Sequence, residues 1–152
     1  MHRGWAGWLL GVLLMTATQG SAALRPQVIK TRWATGDVVI ASLVVNPPAD
    51  AATDAAPAIQ AAIDEAKAAG GGVIFLPAGR YRLATPVIVR EGVMLRGDWA
   101  PPGKARADQT TLLMLTANRG KADAAPAIAV ERGTGLRELT LWHPDQDAAN
   151  PV

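Results

Sequence analysis

The feature that most restricts this chain is Gly70-Gly71-Gly72, because the hydrophobic period differs on its two sides. Before it, Ile59, Ala62, Ile63 and Ala66 recur at helical spacing, with Gln60, Asp64, Glu65 and Lys67 on other faces. Thr53 and Asp54 are good N-cap residues. Pro57 suits a first helical turn, where its missing N–H has no intrahelical partner. Glycine reaches the left-handed geometry that ends a helix, so the spacing predicts a helix stopped at the triplet. Its apolar stripe is narrow and made of small residues, so it can lie closely on a flat surface such as the open end of a strand stack.

After the glycines the period is that of strands. Val73-Ile74-Phe75-Leu76 is an apolar run turned by Pro77-Ala78-Gly79, and Tyr81-Arg82-Leu83 precedes a turn at Thr85-Pro86. Val87-Ile88-Val89 meets a corner at Glu91-Gly92, and Val93-Met94-Leu95 meets one at Gly97-Asp98. A polar loop from Ala100 to Gln109 follows, then Thr111–Thr116, Ala127–Val130 and Leu136–Trp142, with Gly133 and Gly135 at another corner. Upstream, the β-branched run Val38–Val45 is closed by Asn46-Pro47-Pro48 and is expected to cover one end of the domain as a strand. The corners lack the Asn-Gly and Asp-Gly signals of tight hairpins. Two readings stay open from the residues alone. One is a coil that stacks on itself with parallel strands, and the other is a β-sandwich.

The N-terminus predicts export. Met1-His2-Arg3 is a short positive start, Trp5 to Met15 is almost wholly apolar, and Ser21-Ala22-Ala23 supplies small residues for a cleavage site. A run of 11 residues is far short of the roughly 20 that a spanning helix needs. A signal peptide over residues 1–23, cut after Ala23, is therefore expected, with a secreted or periplasmic product and no stable membrane span after cleavage. Losing Arg3 leaves 14 basic and 13 acidic groups, a balance with no basic stripe, so nucleic acid is not an expected partner. There is no cysteine, so packing and backbone ladders must carry stability. His143 is the one histidine left after cleavage, which argues against zinc and haem sites.

The segments Thr53–Asp64, Gly70–Tyr81 and Gly92–Asp98, in that order and spacing, resemble the N-terminal opening of the pectate-lyase-like superfamily. The resembling branch groups rhamnogalacturonase, polygalacturonase and epimerase-like proteins. In that branch a T-D-x-x-A-I-Q-A-A-I helix caps the stack, G-G-G-x-V-x-L-P-A-G-x-Y opens the first rung, and G-V-x-L-x-G closes a turn of it. A second acidic residue frequent in the family's helix entry is absent here, where Ala55 and Ala56 stand. The resemblance implies an all-β fold, a right-handed parallel β-helix or single-stranded solenoid with an N-terminal capping α-helix. The division it implies is residues 24–52 as an extension with a capping strand, and residues 53–152 as the cap helix and first rungs. Residues 73–142 supply roughly three rungs, and no capping segment follows Leu136–Trp142, so the stack is expected to be incomplete and the chain a fragment.

By the same resemblance the partner is a polysaccharide, pectin-type or otherwise acidic, and the reaction hydrolysis or β-elimination. Hydrolysis uses paired carboxylates across the glycosidic bond. Elimination in the family uses calcium and a base, so calcium enters only if the full-length protein is a lyase. The aspartate pairs, His-Gly and R-I-K signatures of the hydrolases do not occur in the chain, so no catalytic residue, cofactor or metal ligand is assigned and this chain alone is expected to be inactive. The cleft candidates are His143, Asp145 and Asp147, which follow Trp142; the plain alternative is an exposed polar corner. Arg80, Arg82, Arg90 and Arg96 either line an acidic-polysaccharide face or point outward into solvent. Asp98-Trp99 is expected to be a structural corner, and Asp64-Glu65 a surface pair. A non-catalytic glycan-binding or adhesin-like module is the second functional reading.

Overall fold

The computed structural model describes residues 23–31, 38–100, 110–118, 121, 123–146 and 149. An antiparallel ribbon comes first, in which β1 (Gln27–Ile29) pairs with β2 (Val39–Ala41). The run expected as one strand over Val38–Val45 is broken at Ser42. Beyond it, β3 (Leu43–Val44) leaves the ribbon and pairs in parallel with β4 (Gly72–Leu76). Between them lies α1 (Ala56–Ala68).

From β4 onward each strand skips its sequence neighbours. β4 is followed by β5 (Gly79–Leu83) and β6 (Val87–Val89), then by β7 (Val93–Gly97), β8 (Thr111–Leu115) and β9 (Ile128–Val130). β4 pairs with β7, β5 with β8 and β6 with β9, each in parallel. β10 (Gly135–Arg137) then adds to β7 and β11 (Thr140–Trp142) to β8, again in parallel. The result is three parallel sheets built by successive coils of the chain. A β-sandwich would require antiparallel sheets, so that alternative is removed.

The expected single strand Leu136–Trp142 is two strands on two different sheets. The corner between them is Glu138, in the left-handed region at φ 57°. Neither glycine nor proline marks that corner, which is why periodicity merges the two strands.

Residues that share a register position stack inward in columns. Ile74 lies beside Leu95, Tyr81 beside Leu113, and Val87 beside Ile128. Ile74, Leu95, Tyr81, Leu113 and Val87 are all buried. Ile59 and Ile63 of α1 close one end of these columns, and burying each contributes on the order of 1.5–3 kcal/mol. The Tyr81 hydroxyl donates a hydrogen bond to Val45 O or Pro77 O, both at 3.0 Å. Burial raises its phenol pKa far above the ordinary value, so it stays a neutral donor.

The helix stop follows the expectation closely. Gly71 N–H donates to Ala66 O and Gly70 N–H to Lys67 O, a full Schellman arrangement with Gly70 at φ 99°. Gly71 is also needed for its lack of a side chain, since a Cβ there would lie 2.5 Å from Gly92 O. The helix start differs from the expectation. Ala55 occupies the N-cap and has no side-chain bond, while Asp54 beside it accepts the Ala56 N–H at 3.1 Å.

Each strand of the first coil has its outer edge closed by a different device. β3 covers β4, with Ser42 N–H bonded to Val73 O and Val45 N–H to Phe75 O. At β5, Ala55 N–H bonds to Arg82 O, while Asp54 accepts from Ala84 N–H at 2.9 Å and from the Thr85 hydroxyl at 3.0 Å. At β6 the Gln60 amide stands in for a strand, accepting from Ile88 N–H at 2.8 Å and donating to Ile88 O at 3.2 Å. Backbone groups that would be orphaned at the end of a stack are thereby satisfied.

Candidate functional site

The outer face of β5, β8 and β11 brings together Arg80, Arg82 and Trp142 from among the candidate polar and aromatic residues. Alternation turns Tyr81, Leu113 and Leu141 inward, so their neighbours form two outward columns. One column is Arg80, Leu112 and Thr140, and the other is Arg82, Met114 and Trp142. Neighbours in a column are about 4.8 Å apart, so Arg82 and Trp142 are separated by about 10 Å of backbone. Arg80 is exposed and Trp142 is 45% exposed. Arg82 is steadied by a bond from its Nη1 to Ala52 O at 2.9 Å. An Arg fork matches a carboxylate, and a flat indole beside an apolar ledge offers a surface to an apolar ring face.

The four arginines separate into two pairs. Arg96 is buried, and its Nη2 lies 2.6 Å from Glu138 on the next coil, so it is a structural tie and not an outward solvated position. Arg90 lies between Asp64 at 3.4 Å and Glu131 at 3.0 Å. The Glu131 side-chain bond and then that of Asp64 raise its pKa. Only Arg80 and Arg82 belong to the outward face.

His143 and Asp145 follow Trp142 in a turn closed by Gln146 N–H to His143 O at 3.2 Å, and both are exposed. Asp147 lies outside the described residues, as does nearly all of the segment expected to be cleaved; Ala23 itself is exposed at the start of the described chain. Among the described residues no group of three or more His, Cys, Asp or Glu side chains could hold a metal ion. None of the described helices is long and apolar enough to cross a membrane. Trp99 is 39% exposed, and Asp98 beside it is buried. The Asp98 backbone is clamped to Thr110 and Thr111, whose hydroxyls bond to it at 3.0 and 2.8 Å. A separate cleft of about 400 Å³ lies between the ribbon and the first coil, lined by Lys30, Val44, Phe75 and Asp98 among others.

Gln60 and Ser42 do not stand out in the sequence, yet both close strand edges. The signal for Gln60 was available, since the family's helix pattern keeps a glutamine at that place.

Residues 48–133 match the family model described as rhamnogalacturonase A/epimerase, pectate lyase-like. The chain belongs to this family. The matched span runs from just before α1 through β9 and so covers the cap and two coils. Three mannuronan C5-epimerases of Azotobacter vinelandii are similar to it. AlgE1 is 43% identical over 75 residues, covering 41% of this chain and 5% of the relative. AlgE6 is 34% identical over 106 residues, 68% of this chain and 12% of the relative. AlgE4 is 34% identical over 95 residues, 60% of this chain and 17% of the relative. The chain thus spans a small part of the length of these relatives. No solved structure matches it.

Proposed function

We propose that this chain is the front part of an exported, right-handed parallel β-helix protein that modifies an acidic polysaccharide. The observation that carries this reading is the family match over the cap and first coils together with relatives named for action on mannuronan. Right-handedness is supported by a general rule, since strand–crossover–parallel strand connections have that hand in about 98% of cases. Export is supported by the charged start, apolar run and small-residue site ending at Ala23. Residues 24–52 would then form the extension and capping strand, and residues 53–152 the cap helix and first rungs of a longer stack.

Epimerisation at C5 removes and returns a proton there, and β-elimination removes the proton next to the uronate carboxylate. The epimerase relatives therefore weight this chain's parent toward C5 proton chemistry over glycosidic hydrolysis. The outward face with Arg80, Arg82 and Trp142 serves as a binding surface, where guanidinium groups meet carboxylates and the indole meets a sugar ring. The chemistry itself is assigned to later coils.

The test is binding of residues 24–152 to polymannuronate and to a neutral glucan, by calorimetry at two salt concentrations. The expected outcome is salt-sensitive binding to polymannuronate alone, with no turnover, weakened roughly tenfold by Trp142→Ala. Equal binding of both polymers, or none of either, would count against the reading.

A further inference from the structure

The antiparallel ribbon has two apolar faces, and the rest of the molecule covers one of them. Its register sets Val28 opposite Ile40 and Ile29 opposite Val39. Opposite residues share a face, and alternation puts these two pairs on opposite sides. Val39 and Ala41 are buried with Phe75, and Ile29 and Val44 pack beside them. On the outer side Val28 is 72% exposed, Ile40 58%, and Val38, two residues before Ile40, 66%. These are the three most exposed large apolar side chains among the described residues. An antiparallel pair with one solvated side ordinarily places polar residues there. A cluster of branched apolar residues in their place marks a contact surface.

The charges around the patch have one sign. Lys30 follows β1 on the side of Val28 by alternation, and Arg25 stands just before the strand; both are exposed. Over residues 24–36 the sequence has three bases, Arg25, Lys30 and Arg32, and no acid. Cleavage after Ala23 would add an amino group at Leu24. A second copy of the ribbon fits poorly, because a two-fold contact sets each patch and its cations against themselves. A polysaccharide fits poorly too, since Val28, Val38 and Ile40 offer neither a flat ring nor a polar group to a sugar. Apolar side chains flanked by cations match a surface that is anionic on top and oily beneath.

We propose that the outer face of the β1–β2 ribbon is a peripheral docking surface for an anionic lipid membrane. Val28, Val38 and Ile40 enter the interface, while Arg25 and Lys30 meet the headgroup phosphates. The contact is shallow and reversible, because so few apolar side chains enter. The ribbon packs on Phe75 of β4, whereas Arg80, Arg82 and Trp142 stand on the sheet of β5, β8 and β11, so the two surfaces are separate. The proposal is independent of what the protein binds or modifies on that other face.

Vesicles test it. The chain beginning at Leu24 is sedimented with vesicles of phosphatidylcholine alone and of phosphatidylcholine mixed with phosphatidylglycerol. The expected result is salt-sensitive binding to the mixed vesicles and little to the neutral ones. Val28→Thr/Ile40→Thr should weaken it on the order of tenfold, and so, separately, should Arg25→Gln/Lys30→Gln. Threonine keeps the β-branch, so the strand is retained, and an unchanged thermal midpoint checks this. Trp142→Ala should leave vesicle binding as it was, which separates this surface from the polysaccharide face. Equal binding to both vesicles, binding to neither, or binding unchanged in either double variant would overturn the proposal. So would a chain that self-associates until Val28→Thr/Ile40→Thr makes it monomeric, or polymannuronate binding that is lost in Arg25→Gln/Lys30→Gln and kept in Trp142→Ala.

Discussion

The two ends of the stack have the same strand geometry and opposite treatment. At the helix end, Ile59, Ile63, Ile74, Tyr81 and Val89 are buried, and every strand of the first coil has its edge closed by β3, by Asp54 and Ala55, or by Gln60. At the other end, the same inward columns finish at Leu136, Leu141 and Val130, which are 39%, 50% and 57% exposed. Position in a register column therefore does not decide how much a residue stabilises the fold. What decides it is whether another layer follows. A solenoid buries each coil only against its neighbours, so energy concentrates where both neighbours exist.

That contrast predicts unequal costs for similar truncations. Ile63→Ala removes a fully buried side chain between helix and coil, and should cost about 2–5 kcal/mol in denaturant unfolding. Leu141→Ala removes an inward residue of the exposed layer and should cost less than about 1 kcal/mol in the same measurement. Equal costs would mean the columns are not what holds the coils together.

The edge devices come next in size. Asp54→Ala strips acceptors from Ala56 and Ala84 N–H and from the Thr85 hydroxyl, and should cost about 1–3 kcal/mol. Gln60→Ala leaves the N–H and C=O of Ile88 without their partner and should cost about 1–2 kcal/mol, with faster exchange at the Ile88 amide. Gln60→Glu sharpens the test, because it keeps the acceptor for Ile88 N–H and loses the donor to Ile88 O. The carboxylate oxygen it sets against Ile88 O and Asp64 is repulsive, so its cost should be at least that of Gln60→Ala while the Ile88 amide exchanges more slowly than in Gln60→Ala.

The smallest effect belongs to the exposed Arg90–Glu131 pair. The pKa of Glu131 is lowered, first by the backbone N–H of Glu91 and then by Arg90. A carboxyl held low in the folded state contributes stability above its unfolded pKa and loses it as pH falls through the folded value. Glu131→Gln should therefore flatten the acid limb of a stability–pH profile through a small loss of stability at neutral pH that disappears below the folded-state pKa. Such exposed pairs contribute little in water, and added salt should shrink the difference further.

Much of this was legible in the residues. The helix, its glycine stop and most of the short strands follow from the change of period at Gly70–Gly72, because helix and strand bury apolar residues at different spacings. Strand pairing was not legible to the same degree. A corner such as Glu138 carries no glycine or proline, and its left-handed backbone is held by the Arg96–Glu138 contact and the packing of Leu139. Ser42 likewise breaks a β-branched run because its hydroxyl accepts the Val73 N–H, a partner 31 residues away. The candidate surface was half legible. Arg80, Arg82 and Trp142 sit in sequence positions that become one face only through the parallel register, while the same spacing sends Arg96 into a buried tie.

Parallel stacking in this register is the central claim, and a chain without cysteine allows it to be tested by disulfide trapping. Val73 and Met94 are register partners on β4 and β7, at a spacing that suits a disulfide. The Val73→Cys/Met94→Cys variant is expected to oxidise readily to an intramolecular bond, and Val73→Cys/Arg82→Cys is expected to stay reduced. The reverse outcome, with the second pair closing as it would if β4 and β5 formed a hairpin, would contradict the fold and everything built on it.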